Sequence, residues 1–157
     1  DNFENITFKN MTVTNTSDSG RGIHMSNAKV ELFDVALKGC GCAGLNIDNV
    51  TSETILVATR CEFSNSEYGV VVEGSSTSAT FKNCIFHDNS DDGIFVSQST
   101  IHLHGEATAI HSNGSGIYAY SSAKVVIHLP SHHNTFYNNE EEDRQSYTGG
   151  TITNVED

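Results

Sequence analysis

The chain has 157 residues, 20 acidic against eight basic side chains for a net charge of −12, one proline and no tryptophan. That length holds one domain, 1–157, and that charge sets the surface against nucleic-acid phosphates and anionic lipid. It also disfavours polyanionic sugars as substrates, and no apolar run approaches membrane-spanning length, so membrane insertion is not expected.

In chain order, the strand-like "NITFKNMTV" (5–13) carries Ile6, Met11 and Val13 and leads to "GIHM" at Gly22. Val30, Val35 and Leu37 then precede "GLNI" at Gly44, and Leu56, Cys61 and Phe63 precede "GVVV" at Gly69. Ala79, Cys84 and Phe86 precede "GIFV" at Gly93, and Leu103, Thr108 and Ile110 precede "GIYA" at Gly116. Leu129, Asn134 and Phe136 begin a last coil with a longer acidic loop, 138–148, before "TGGTITNVED". The glycines lie 22, 25, 24 and 23 residues apart, and several apolar columns keep the same phase. A period of that size signals a repeat architecture.

Alternation inside the repeat is two-residue (Ile23/Met25, Val70/Val72, Ile94/Val96), which predicts short strands. A leucine-rich repeat has a similar period, but its leucine signature and intervening helix are missing. Parallel strands need long crossovers, which a coil of three short strands and their turns supplies. About six such coils stack into a rod roughly 29 Å long at the usual strand spacing. The Asn–Ser turn running into Gly-apolar-x-apolar resembles the right-handed parallel β-helix proteins of the pectate-lyase-like superfamily, over nearly the whole chain. The resemblance implies an all-β, right-handed, single-stranded parallel β-helix. That superfamily includes lyases, hydrolases and epimerases of polysaccharides, and also phage spikes, adhesins and scaffolds, so fold does not decide function.

"HDNSDDGIFV" (87–96) poses the functional question. In the repeat frame it occupies the same turn as "SNSEYG" (64–69) and "HSNGSG" (111–116), with Asn65 and Asn89 each four residues before a glycine. Asn and Asp close such turns by bonding nearby backbone, and a repeated solvated turn is the first reading. A calcium ion at Asp88, Asp91 and Asp92 would need six to eight oxygens, with help from adjacent coils; calcium is the cofactor left open at this turn. "SDDG" is similar in part to the "GDD" of polygalacturonase-like β-helices, which would make Asp91 and Asp92 catalytic. The "NTD" and "RIK" elements of those enzymes are missing, and "LHGE" only faintly matches their "GHG".

Cys61 and Cys84 share an inward column and are expected as stacked free thiols filling apolar space. Cys40 and Cys42 in "GCGC" are expected as an exposed thiol pair or a local bridge. His87 and His111 share a column, with His132 and His133 near another turn; a surface ladder is the first reading, zinc or copper with Asp88 the second.

Two features favour a surface role. The outward places after each glycine read His24, Asn46, Val71, Phe95 and Tyr118, with Tyr120 two places on. Val71, Phe95, Tyr118 and Tyr120 are expected to form an apolar-aromatic strip for sugar stacking or protein contact, unless 138–148 covers it. Glycosylation sequons start at Asn5, Asn10, Asn15, Asn49 and Asn113; Asn15 and Asn113 are alternatively committed to turn hydrogen bonds. The chain begins at Asp1 without a leader, which reads as a processed form or fragment. The expectation is an extracellular or cell-surface glycoprotein module, non-catalytic, assembling head to tail with copies of itself or mediating adhesion. The alternative is a carbohydrate-active or carbohydrate-binding β-helix acting on glycans.

Overall fold

The computed structural model describes residues 5–48, 51–128 and 135–156. Its strands are β1 (Asn5–Val13), β2 (Arg21–Ser26), β3 (Lys29–Lys38), β4 (Ala43–Asp48), β5 (Thr54–Thr59) and β6 (Glu62–Ser64). They continue with β7 (Tyr68–Glu73), β8 (Thr77–Lys82), β9 (Ile85–His87), β10 (Asp92–Ser97), β11 (Thr100–His104) and β12 (Ala109–His111). The last are β13 (Ser115–Tyr120), β14 (Lys124–His128), β15 (Phe136–Tyr137), β16 (Arg144–Ser146) and β17 (Thr151–Asn154). Every ladder is parallel and joins one coil to the next, as in β5–β8–β11–β14 and β4–β7–β10–β13. The chain is a parallel β-solenoid of about six coils, as the repeat predicts.

The smaller sheet runs β16-β13-β10-β7-β4-β2 and holds the strands that follow each glycine. The larger sheet bends into two faces. In β3 one long strand serves both, pairing its first half with β5 and its second with β6. From there on the strand is cut in two at Arg60 and Asn83, both at positive φ (51° and 53°), in line with Asp34 (53°) inside β3. A second corner repeats at Asn65, Asp88, Ser112 and Asn138, with φ between 53° and 55°. Asn and Asp recur there because they tolerate the left-handed conformation better than other L-residues.

The glycine column has a steric cause. A Cβ on Gly44 would sit 2.8 Å from the carbonyl oxygen of Gly69, one on Gly69 2.5 Å from that of Gly93, and one on Gly93 2.8 Å from that of Gly116. Successive coils approach too closely at this corner for any side chain.

The column Val13, Leu37, Phe63, Phe86, Ile110, Phe136 is realised in full, each residue in register with the next. Phe63 and Phe86 stack at 5.0 Å, and Phe81 meets both edge-on at 5.7 and 5.2 Å. The column Ile6, Val30, Leu56, Ala79 continues instead through Ile101 and Val125, and Leu103 pairs with Phe81. The turn between β11 and β12 (105–108) is two residues longer than that between β8 and β9 (83–84), so a count back from Ile110 slips by two. The slip is even, so Leu103 still points inward. Leu129 and Asn134 lie outside the described residues.

Inside the second corner runs a ladder of buried amides. Asn89 Nδ2 donates to Asn113 Oδ1 at 2.8 Å, and Asn113 Nδ2 donates to Asn139 Oδ1 at 3.1 Å. Each also donates to a backbone carbonyl across the coil: Asn89 to Phe63, Asn113 to Phe86, Asn139 to Ile110. The ladder lies one residue past the left-handed positions, so Asn89 is equivalent to Ser66 and not, as the count back from glycine implied, to Asn65.

Candidate functional site

On the outward face of the smaller sheet His24, Asn46, Val71, Phe95, Tyr118 and Gln145 form one row in register. The β-period of two puts them on that face because their neighbours Ile23, Val70, Ile94 and Ile117 fill the core. Phe95 and Tyr118 stack at 5.7 Å with planes 17° apart, and Tyr147 continues the stack onto Tyr118 at 5.2 Å and 23°. Tyr68 meets Phe95 edge-on at 6.2 Å, and Tyr120 tilts against Tyr118 at 6.5 Å. The expected strip therefore exists, although Val71 is only 9% exposed and contributes floor more than surface.

Beside the rings lies an open hollow of about 310 Å³, lined by Tyr68, Asp91, Asp92, Ser115 and Glu141 as well as the strip. A second, of about 240 Å³, shares Tyr68 and Phe95 and extends the groove toward Asn46 and Arg21. The segment 138–148 does not lie over the strip. Its residues 144–146 form β16 in the smaller sheet, while Glu141 lines the hollow and Tyr147 stacks on Tyr118.

The polar end of the groove is electrostatically unusual. Asp92 opens β10 and is only 4% exposed. Burial first, then the charge of Asp91, pushes its pKa up to about 7, against a hydrogen bond from Ser115 that favours the ionised form. Burial, and then a hydrogen bond to Asp91, raise the Tyr68 phenol well above the ordinary tyrosine range. Glu141 Oε2 accepts from Gln145 Nε2 at 3.2 Å and lies 3.3 Å from Ser115 Oγ, which has one proton to share between Glu141 and Asp92. A buried acid among other carboxylates and an aromatic platform can hold a hydroxyl-rich ring and exchange a proton with it.

The three aspartates of the opening turn do not converge. Asp88 stands at the corner, its Oδ2 2.6 Å from His87 Nδ1, and borders a different hollow with Asn89, Ser112 and Glu140. Asp91 and Asp92 stay together in the groove. Among the described residues, Asp88, Asp91 and Asp92 do not form a group able to share one ion. His87 and His111 stack at 5.1 Å, with Tyr137 stacked on His111 at 4.4 Å, and His87 Nε2 reaches Glu62 at 3.2 Å. His132 and His133 lie outside the described residues, as does Asn49.

Cys61 and Cys84 are buried free thiols on adjacent coils, with the Cys61 N–H 3.5 Å from Cys84 Sγ. Cys40 and Cys42 are also free, but Cys40 is buried, not exposed. Of the sequons, Asn5 and Asn10 are exposed on β1, and Asn15 is exposed but uses its amide on Arg21 O and Ser17. Asn113 is 1% exposed and fully engaged in the amide ladder, which excludes a glycan there in the folded chain.

Sequence reasoning missed Tyr68, Ser115, Glu141 and Tyr147. A signal for two of them existed: Tyr68, Asp92 and Ser115 each immediately precede a column glycine, one coil apart. It also missed His102, His104 and His128, whose ligand atoms lie within 4.8 Å of one another. Their trace is the "HLH" of 102–104 with a third histidine one coil on.

The chain matches the family described as the right-handed beta helix region over residues 1–156, and belongs to it. The comparisons match no curated protein and no solved structure.

Proposed function

We propose that this right-handed β-helix is a surface module that binds a neutral glycan along the groove of its smaller sheet. The observation that carries the reading is the stacked row Phe95–Tyr118–Tyr147 alongside Asp91, Asp92 and Glu141. The stacked aromatic row offers a sugar chain an apolar wall, and the carboxylates accept hydroxyl protons. The net charge of −12 selects against uronates and sulfated chains. The reading is tested by titrating neutral oligosaccharides and oligouronates into the protein by calorimetry. Neutral glycans should bind and Tyr118→Ala should weaken them at least tenfold; binding that survives the substitution would move the site elsewhere.

A second reading, hydrolysis of the bound glycan, is favoured by the placement of Asp92, a buried carboxyl lining the hollow with Asp91 and Glu141, where burial raises its pKa. A protonated carboxyl can serve as general acid while a neighbouring carboxylate acts as base or nucleophile. Reducing-end release that is lost in Asp92→Asn, with glycan affinity retained, would establish it; binding without release in the unmodified protein would leave the module non-catalytic.

A further inference from the structure

We propose that His102, His104 and His128 form a site for one borderline transition-metal ion, zinc or copper, on the outer face of the larger sheet. β11 carries His102 and His104 two residues apart, hence on the same outward face, while Ile101 and Leu103 between and beside them are buried. β14 pairs in register with β11 and sets His128 directly beside His104. His102 Nδ1 lies 3.0 Å from His128 Nε2, and the His104 and His128 rings stack at 4.2 Å. One potential ligand atom from each residue falls within 4.8 Å of the other two.

The distances decide between a ladder and a site. Nitrogens bound to one tetrahedral zinc at ~2.0–2.1 Å stand about 3.3 Å apart. The His102–His128 pair needs only a few tenths of an ångström of opening to reach that. His104 needs a side-chain rotation out of its stack, with the parallel ladder holding the backbone in place. At the His87–His111 stack both His87 nitrogens face carboxylates, Asp88 at 2.6 Å and Glu62 at 3.2 Å. In the triad two ring nitrogens face each other, which requires one to carry a proton and the other to lack it. A metal ion replaces that shared proton.

An all-nitrogen donor set selects zinc or copper over calcium and magnesium, which take oxygen. Three protein ligands leave a fourth position for water, the arrangement of sites that do more than hold the fold together. The register neighbours on β8 are Thr80 beside His102 and Lys82 beside His104.

The test uses the whole untagged chain, stripped with chelator, then titrated with zinc and with cobalt as a visible probe. One ion should bind per chain, with cobalt giving the strong visible bands of four-coordination. His102→Gln/His128→Gln should weaken binding at least 100-fold, while His87→Gln/His111→Gln should leave it unchanged. No binding at millimolar zinc, or binding that survives loss of His102 and His128, would overturn the proposal. X-ray absorption of the zinc-loaded unmodified protein gives an answer that needs no variant. Three imidazole nitrogens are expected, and fewer would overturn the site.

Discussion

Replacing Asn113 by alanine removes four hydrogen bonds from the interior of the amide ladder. Its Nδ2 donates to Phe86 O at 3.1 Å and to Asn139 Oδ1 at 3.1 Å, and its Oδ1 accepts from Asn89 N at 3.2 Å and Asn89 Nδ2 at 2.8 Å. Each is worth about 1 kcal/mol net, and the abandoned Asn89 N–H and Phe86 carbonyl are buried away from water. The expected loss is about 3–5 kcal/mol, which for a domain of this size lowers Tm by roughly 10 °C. Asn65→Gly serves as the control: it changes an exposed residue at φ 53° one place outside the ladder. That change should move stability by less than about 1 kcal/mol, because glycine accepts the conformation freely. Urea titration followed by far-ultraviolet circular dichroism measures both. A loss below about 1 kcal/mol for Asn113→Ala would refute the reasoning, since it would mean that water replaces the ladder.

Asp92 has a folded pKa raised from 3.8 to about 7, so the folded chain binds more protons than the unfolded one between those values. Stability from this group is fully present below about pH 4 and is lost as pH rises through 7; Asp92→Asn should flatten that part of the profile and be the more stable form at pH 8. Intact-mass analysis of material from a glycosylating host should find glycan at Asn5 or Asn10 and none at Asn113, since a glycan at Asn113 would require the ladder to open. β1 carries the exposed side chains of Ile6 and Met11, and we propose that copies of the chain associate through that strand. Light scattering should show mass rising with concentration and salt, and a monomer under all conditions would contradict it.

The solenoid was legible because the glycine column and the Val13-to-Phe136 column are steric necessities of stacking, and sterics repeat with the coil. The slip at Leu103 shows the limit: turn length varies between coils, and a column counted across a turn inherits the variation. The aromatic strip was legible for the same reason as the core, one residue over. The acidic hollow was not, since Glu141 and Tyr147 come from the irregular last coil and reach the groove only through pairing of β13 with β16. The pKa of Asp92 was illegible for a different reason. In sequence it is one of three aspartates in a turn, and only the wound chain buries it while leaving Asp88 exposed beside His87. The histidine triad needed register, because His102 and His104 meet His128 across a ladder 24 residues away from the nearer of them.

Amide and aromatic NMR of the protein titrated with a neutral oligosaccharide tests the proposed glycan groove of the smaller sheet residue by residue. Shifts that saturate together are expected at Phe95, Tyr118, Tyr147 and the amide of Asp92, with the larger sheet unmoved. No saturable shift with any neutral glycan, or shifts confined to the larger sheet, would contradict it.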